Sequence, residues 1–315
     1  MDAPLRRREP INHNIAGPEA DAIVNEARRL VCRDRGFDRG SRKIRATIAD
    51  RRYIGNSMKA IALLLLATAS LAPAKLVTRT VDYTDETGAP LEGYVVYDDA
   101  HKGPRPGVLI VHDWRGLTDY TQKRADMIAE LGYVAFAADI YGKGVHLNSV
   151  PEFSQEMAPY KADRTLYRQR EHAAYDAFLK QPEVDPARVA AIGYCFGGTG
   201  VIEMVRDGLP LKGAVTFHGG LDARPVTPGA TTTTPVLALC GAADPFEQPS
   251  DMLAFMQQMH DIGVNLKVVS YPGAEHAFTD PGVDAWHLSG AKYNESADHQ
   301  SWQAMKEFLH HIFKS

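Results

Sequence analysis

From Leu76 onward the chain alternates short apolar runs with longer amphipathic stretches, and that rhythm predicts most of the architecture. Two runs with a period of two, Val77 to Tyr83 and Leu91 to Tyr97, flank the turn-forming Asp85-Glu-Thr-Gly88 and predict an antiparallel hairpin. Continuous apolar runs then follow at 107–111, 134–138, 189–192, 214–217, 236–239 and 266–270, the pattern of strands buried on both faces. Helical spacing fills the intervals at 119–131, 163–180, 199–207, 249–262 and 298–313. Strands alternating with helices in this way predict an α/β fold: a mostly parallel sheet with helices on both faces and an antiparallel N-terminal hairpin.

The 315 residues, 44% hydrophobic and 23% charged, are enough for one full-sized catalytic domain, expected over residues 75–315. The net charge of -4 is unevenly spread: residues 1–57 hold 12 Arg and 1 Lys against 8 Asp and Glu, which leaves the remainder acidic. An acidic body argues against a nucleic-acid partner. Residues 1–57 lack sustained periodicity apart from a short helix-like piece at 18–31, and are expected to be disordered. Met58-Lys59 then leads into Ala60 to Ala69, an apolar run closed by the small-x-small sequence Ala72-Pro73-Ala74. These are the three regions of a secretory signal peptide, over 58–74, and the run is short for a membrane span of about 20 residues. The expectation is translation from Met58, cleavage after Ala74, a periplasmic or secreted product with no stable membrane anchor, and residues 1–57 outside the natural product. The alternatives are a genuine N-terminal extension with a short buried helix or membrane anchor at 60–72, and a cytoplasmic protein.

Three cysteines, Cys32, Cys195 and Cys240, allow neither a disulfide framework nor a CxxC zinc site. Cys195 lies in Gly193-Tyr-Cys-Phe-Gly-Gly198, between an apolar strand and a helical pattern. Gly-x-Cys-x-Gly is the nucleophile elbow with sulfur in place of the serine oxygen, and the following helix dipole favours a thiolate there. In α/β sheets ligands gather at the carboxyl ends of the strands. Two further strand ends carry Asp244, in Gly241-Ala-Ala-Asp-Pro245, and His276, in Ala274-Glu-His-Ala-Phe278. Nucleophile, acid and histidine thus follow the chain order of an α/β-hydrolase triad, with His276 as the base and Asp244 fixing its tautomer. A third strand end, Val111-His-Asp-Trp-Arg-Gly116, sits where this arrangement supplies half of an oxyanion hole. The backbone N–H groups of Phe196 and Trp114 are the expected donors, and Asp113 is a carboxylate placed to act on the thiol. Cys240 reads as a buried, inert thiol. The other histidines, among them His146, His218, His260, His310 and His311, show no metal-ligand spacing, so neither metal nor organic cofactor is expected.

The elbow, the His112-Asp-Trp-x-Gly-Leu117 loop, Asp139-Ile-Tyr-Gly142 and Ala274-Glu-His-Ala-Phe-Thr279 together resemble the dienelactone hydrolase family, over about residues 77–313, continuing through Tyr293-Asn294 and Ser301 to Met305. The resemblance implies an α/β-hydrolase fold and hydrolysis of a small ester or lactone through a cysteinyl acyl-enzyme. It assigns nucleophile, acid and base to Cys195, Asp244 and His276, and implies that a carboxylate at position 113 helps to form the thiolate when substrate binds. Two departures stand out. Well-studied lactonases of the family carry glutamate where this chain has Asp113, and an arginine after the histidine where this chain has Thr279-Asp280-Pro281. Arg164, Arg168 or Arg170 could meet a substrate anion, although surface ion pairs are their simpler role. Phe196, Trp114, Tyr141 and Tyr160 are expected to line the cleft. A thioesterase, a catalytically silent binding module and thiol redox chemistry with Cys240 remain as alternatives. A dinucleotide fingerprint would require glycine at position 195. The partner expected is a small-molecule ester or lactone, with the protein a monomer or small homo-oligomer.

Overall fold

The eight runs predicted as strands form one sheet. The structure, a computed structural model, describes residues 75–228 and 232–314, so the expected signal peptide at 58–74 and the segment before it lie outside the described residues. In chain order the elements are β1 (Leu76–Thr84), β2 (Pro90–Asp98), β3 (Arg105–Val111), α1 (Asp119–Glu130), β4 (Val134–Ala138), α2 (Val150–Ala162) and α3 (Arg164–Leu179). They continue with β5 (Val184–Tyr194), α4 (Phe196–Asp207), β6 (Ala214–Phe217), β7 (Val236–Gly241), α5 (Pro249–Asp261), β8 (Leu266–Tyr271), a 3-10 turn (Val283–Trp286) and α6 (Glu295–Lys314). The sheet order is β1-β2-β4-β3-β5-β6-β7-β8. β2 is antiparallel to both β1 and β4, and every pairing from β4 through β8 is parallel.

Side chains alternate across the sheet and build a core on each face. On one face Leu109, Val111, Phe136 and Ala191 meet α3 through Tyr167 and Phe178 and α4 through Val201, Ile202 and Val205, with Phe255 of α5 in the same cluster. On the other face Val108, Ile110, Ile192 and Val215 pack against Ile128 of α1 and Met305, Leu309 and Ile312 of α6. This double covering is why β3 to β7 read as continuous apolar runs in the sequence.

Two elements differ from the sequence expectation. Helix α2 was not predicted: Pro151 and Pro159 interrupt its spacing, and only Phe153 and Tyr160 are buried. Pro151 stands in its first turn, where the missing N–H costs nothing, and Ser149 caps the end by accepting from the Glu152 N–H. Helix α4 begins at Phe196 rather than Thr199, because its weak helix formers Gly197 and Gly198 are needed for close approach.

The register brings the carboxyl ends of the strands level. Val111 pairs with Ala138 and Gly193, Tyr194 with Phe217, Phe217 with Leu239, and Gly241 with Tyr271. The loops leaving β3, β5, β6, β7 and β8 therefore emerge along one edge. At that edge a Cβ on Gly197 would fall 2.2 Å from the Val111 carbonyl oxygen, and one on Gly193 2.1 Å from the Gly197 carbonyl oxygen. Backbone cannot yield as a side chain can. Gly197→Ala should lower unfolding free energy by about 3 kcal/mol, read as a lower urea midpoint, and a midpoint equal to that of the unmodified protein would contradict this packing.

Candidate active site

The turn after β5 holds Cys195 at φ 53° and ψ −114°, a conformation non-glycine residues seldom adopt and one that costs about 1–3 kcal/mol. Its N–H meets the Phe217 carbonyl at 3.0 Å, and its carbonyl accepts from Thr199 N–H at 3.2 Å, so both sides of the strained residue are tied down. The turn puts Cys195 at the N-cap of α4. Phe196 behind it stacks on Tyr167 at 4.5 Å, and the Tyr167 hydroxyl donates to the Phe196 carbonyl at 2.9 Å.

His276 Nε2 lies 3.0 Å from Cys195 Sγ, and its Nδ1 lies 2.8 Å from Asp244 Oδ2. The other carboxylate oxygen, Oδ1, accepts from the Phe246 N–H at 2.9 Å, which leaves Oδ2 aimed at the imidazole. The His276 loop is anchored by its own backbone: His276 N–H to Gly290 O and Lys292 N–H to His276 O, each 3.0 Å. Burial disfavours the His276 cation, but its electrostatic attraction to the Cys195 sulfur and to Asp244 outweighs this and pushes the imidazole up to about 10.

Asp113 is placed differently from the expectation of a carboxylate acting on the thiol. Its carboxylate is taken by Arg115: Oδ1 accepts from the Arg115 N–H at 2.8 Å and from Nε at 3.1 Å, and Oδ2 from Nη2 at 2.5 Å. Among the described residues no hydrogen bond joins Asp113 to Cys195. Aspartate is one methylene shorter than the glutamate of the family's lactonases, and its short arm folds back onto its own loop. Arg115 Nη2 also reaches Asp280 Oδ2 at 2.7 Å, and the guanidinium lies 5.5 Å from the Tyr120 ring centroid. The acid at position 280 is therefore already paired with a cation, a partnership that sequence reasoning missed. The signal was there in Arg115 itself, two residues from Asp113 on a loop at a strand end.

Trp114 and Phe196 both line the cavity. Phe196 opens α4, so its N–H has no acceptor within the helix, and among the described residues the Trp114 N–H has no partner either. The Tyr141 hydroxyl donates to the Trp114 carbonyl at 2.9 Å. His112 steadies the same loop: it accepts from the Ile140 N–H at Nε2, which leaves Nδ1–H to donate to the Asp113 carbonyl at 2.6 Å. The Asp139 carboxylate accepts from the backbone N–H groups of Glu92, Tyr141 and Gly142, which explains the Asp-Ile-Tyr-Gly sequence as a structural turn.

The cavity over Cys195 has a volume of about 500 Å³. Trp114, Tyr120, Phe196, Phe246 and Trp286 give it aromatic walls, with Met157, Leu221, Val283 and Leu288 between them. Tyr141 and Tyr160, expected in the lining, are instead buried behind Phe196, where their rings pack at 5.6 and 6.0 Å. Glu247 lies on the wall, and burial pushes its carboxyl up to about 7 against the pull of the Leu221 N–H. Of the three arginines considered for a substrate anion, Arg164 lines the cavity while pairing with Asp222, Arg168 is held by Glu203, and Arg170 by Asp85. Burial raises the Cys240 thiol to about 12, as expected for an inert core cysteine. Among the described residues no three His, Cys, Asp or Glu side chains are grouped as metal ligands.

A family model described as the dienelactone hydrolase family matches residues 91–313. The chain belongs to the dienelactone hydrolase family. A Yersinia pestis protein that carries the provisional name carboxymethylenebutenolidase is 25% identical over 233 residues, covering 70% of this chain and 84% of that one. A solved structure of a dienelactone hydrolase-like promiscuous phosphotriesterase from metagenomic libraries is 37% identical, with a TM-score of 0.73, covering 76% of this chain and 99% of its own. A Klebsiella pneumoniae structure with a dienelactone hydrolase name, 22% identical with a TM-score of 0.62, shares the fold. The chain is thus a hydrolase of the α/β-hydrolase fold.

Cys195→Ser should bring the His276 midpoint down from about 10, since the electrostatic interaction with the Cys195 sulfur is the largest influence raising it. Because the folded value exceeds the ordinary 6.5, the imidazolium's contribution to stability is complete below about 6.5 and fades as pH rises towards about 10; in the variant it should fade earlier. NMR titration of the imidazole reads this directly, and an unchanged midpoint would contradict the pairing.

Proposed function

We propose that the protein hydrolyses small esters or lactones through Cys195 as nucleophile. The observation that carries this reading is the continuous line from Sγ through the two ring nitrogens of His276 to Asp244, with separations of 3.0 and 2.8 Å. His276 holds the proton given up by the thiol, and the thiolate attacks the carbonyl carbon to form a C–S bond. The developing oxyanion is received by the Phe196 and Trp114 N–H groups. As the C–O bond breaks, His276 returns the proton to the leaving oxygen. Water, deprotonated by His276, then releases the acid and restores the thiol. Asp244 holds the imidazole in the tautomer that keeps Nε2 facing sulfur and stabilises the cation formed in each half-reaction.

The aromatic walls favour substrates with a flat or apolar group beside the carbonyl. The Arg115 guanidinium, already flanked by Asp113 and Asp280, leaves little net positive charge to recruit a carboxylate, so neutral esters and lactones fit better than the anionic dienelactone type. The metagenomic phosphotriesterase adds a second reading, attack of the same thiolate on a phosphotriester, because it shares 37% of its sequence with this chain. A panel of p-nitrophenyl esters, small lactones and a p-nitrophenyl dialkyl phosphate separates the two. Cys195→Ala should lower turnover of the accepted class by roughly 10³-fold or more, and a variant as active as the unmodified protein would overturn the mechanism.

We further propose export directed by residues 58–74. N-terminal sequencing of the protein from the periplasm of a bacterial host should begin at Lys75, and a chain that stays in the cytoplasm beginning upstream of Met58 would refute it.

A further inference from the structure

His218, the residue after β6, lies under the Cys195 and His276 pair and has no part in the proton transfers above. Its Nδ1 accepts the Cys195 backbone N–H at 3.1 Å, sharing that proton with the Phe217 carbonyl. Because Nδ1 accepts, the ring proton of the neutral imidazole sits on Nε2, which is 2.8 Å from the Thr279 hydroxyl oxygen and donates to it. Thr279 is on the His276 loop, three residues beyond the base. Its hydroxyl also meets the Tyr120 hydroxyl at 2.7 Å, and its carbonyl accepts from the Arg124 guanidinium. The His218 ring itself stands edge-on to His276, with centroids 5.2 Å apart, and to Phe278 at 5.1 Å. One buried ring therefore touches both halves of the reacting pair.

We propose that His218 is a positioning residue that sets the separation of Cys195 and His276, bracing the nucleophile turn at one ring nitrogen and the loop of the base at the other. The proposal rests on the cysteine reading of the preceding subsection. Histidine suits the task because the bonds lie at opposite ends of a rigid ring, an acceptor towards the elbow and a donor towards the loop. The backbone conformation fits as well: His218 adopts φ 39°, in the left-handed region where histidine is more frequent than most side chains. The brace holds only while the imidazole is neutral, since a protonated ring would turn a donor towards the Cys195 N–H. Complete burial holds His218 well below its ordinary value, and the facing cations His276 and Arg124 act in the same direction.

Three variants test it on the full chain. His218→Phe keeps the ring and deletes both nitrogens; Thr279→Val deletes the hydroxyl; Thr279→Ser restores it. In folded His218→Phe, kcat for p-nitrophenyl acetate should fall by about 10–100-fold with KM within about threefold, because a misplaced base harms the chemical step and spares ground-state binding. Alkylation of Cys195 by iodoacetamide at pH 7 should slow by about tenfold or more, as expected where the thiolate loses a neighbouring imidazolium. Thr279→Val should move both readouts the same way, and Thr279→Ser should return them to within about twofold of the unmodified protein. A folded His218→Phe protein with unchanged kcat and alkylation rate would overturn the proposal. Should that variant fail to fold, Thr279→Val decides, and unchanged readouts there would overturn it equally. Alkylation needs no substrate, so a Cys195→Ala protein that keeps its esterase activity would sink the catalytic reading separately from the brace.

Discussion

The backbone of Cys195, held at φ 53° and ψ −114°, is the constraint on which the rest of the site depends. A residue in that conformation is stable only where its neighbours leave it no alternative. Here Gly193 and Gly197 approach so closely that neither has room for a Cβ, the Phe217 carbonyl and the Thr199 N–H grip both sides, and Tyr167 covers the helix start. The sheet supplies the rest. Because β3, β5, β6, β7 and β8 end level, the loops that leave them bring Trp114, Cys195, His218, Asp244 and His276 together at one edge of the sheet, where all but Asp244 line one cavity. Stability stored in two apolar cores is thereby converted into a sulfur fixed 3.0 Å from an imidazole.

The electrostatics of that cavity follow from pairing. Arg115 lies between Asp113 and Asp280, and its side chain is only 12% exposed, so each charge is offset at short range. An unpaired carboxylate there would pay a desolvation penalty of several kcal/mol. The family resemblance implies a carboxylate at position 113 that helps to form the thiolate, and the family's well-studied lactonases carry an arginine after the histidine. This chain instead has the arginine beside the first carboxylate and a second carboxylate where the arginine would stand. Arg115 pairs with both carboxylates, which keeps Asp113 occupied and leaves His276 as the group hydrogen-bonded to the Cys195 sulfur.

Much of this was legible in the sequence, for identifiable reasons. Buried strands announce themselves as unbroken apolar runs, and Cys195, Asp244 and His276 each follow one, so chain order alone aligned them. Helix α2 escaped because two prolines break its spacing and two buried side chains, Phe153 and Tyr160, are too few to make a stripe. The pairing of Arg115 escaped because a salt bridge between β3 and β8 loops is a tertiary fact that local spacing does not encode. His218 had a readable position, next after an apolar run at the same sheet edge, but weighing it only as a metal ligand hid its value as a neutral ring with one donor and one acceptor.

In the proposed mechanism Cys195 carries the acyl group during turnover. Acid quenching of the protein during steady-state hydrolysis of a p-nitrophenyl ester, followed by digestion and mass spectrometry, tests it most directly. One acyl group is expected on the peptide containing Cys195, formed in the unmodified protein and absent from Cys195→Ala. An acyl group found on any other residue, or rapid turnover with Cys195 unmodified at every quench time, would contradict it.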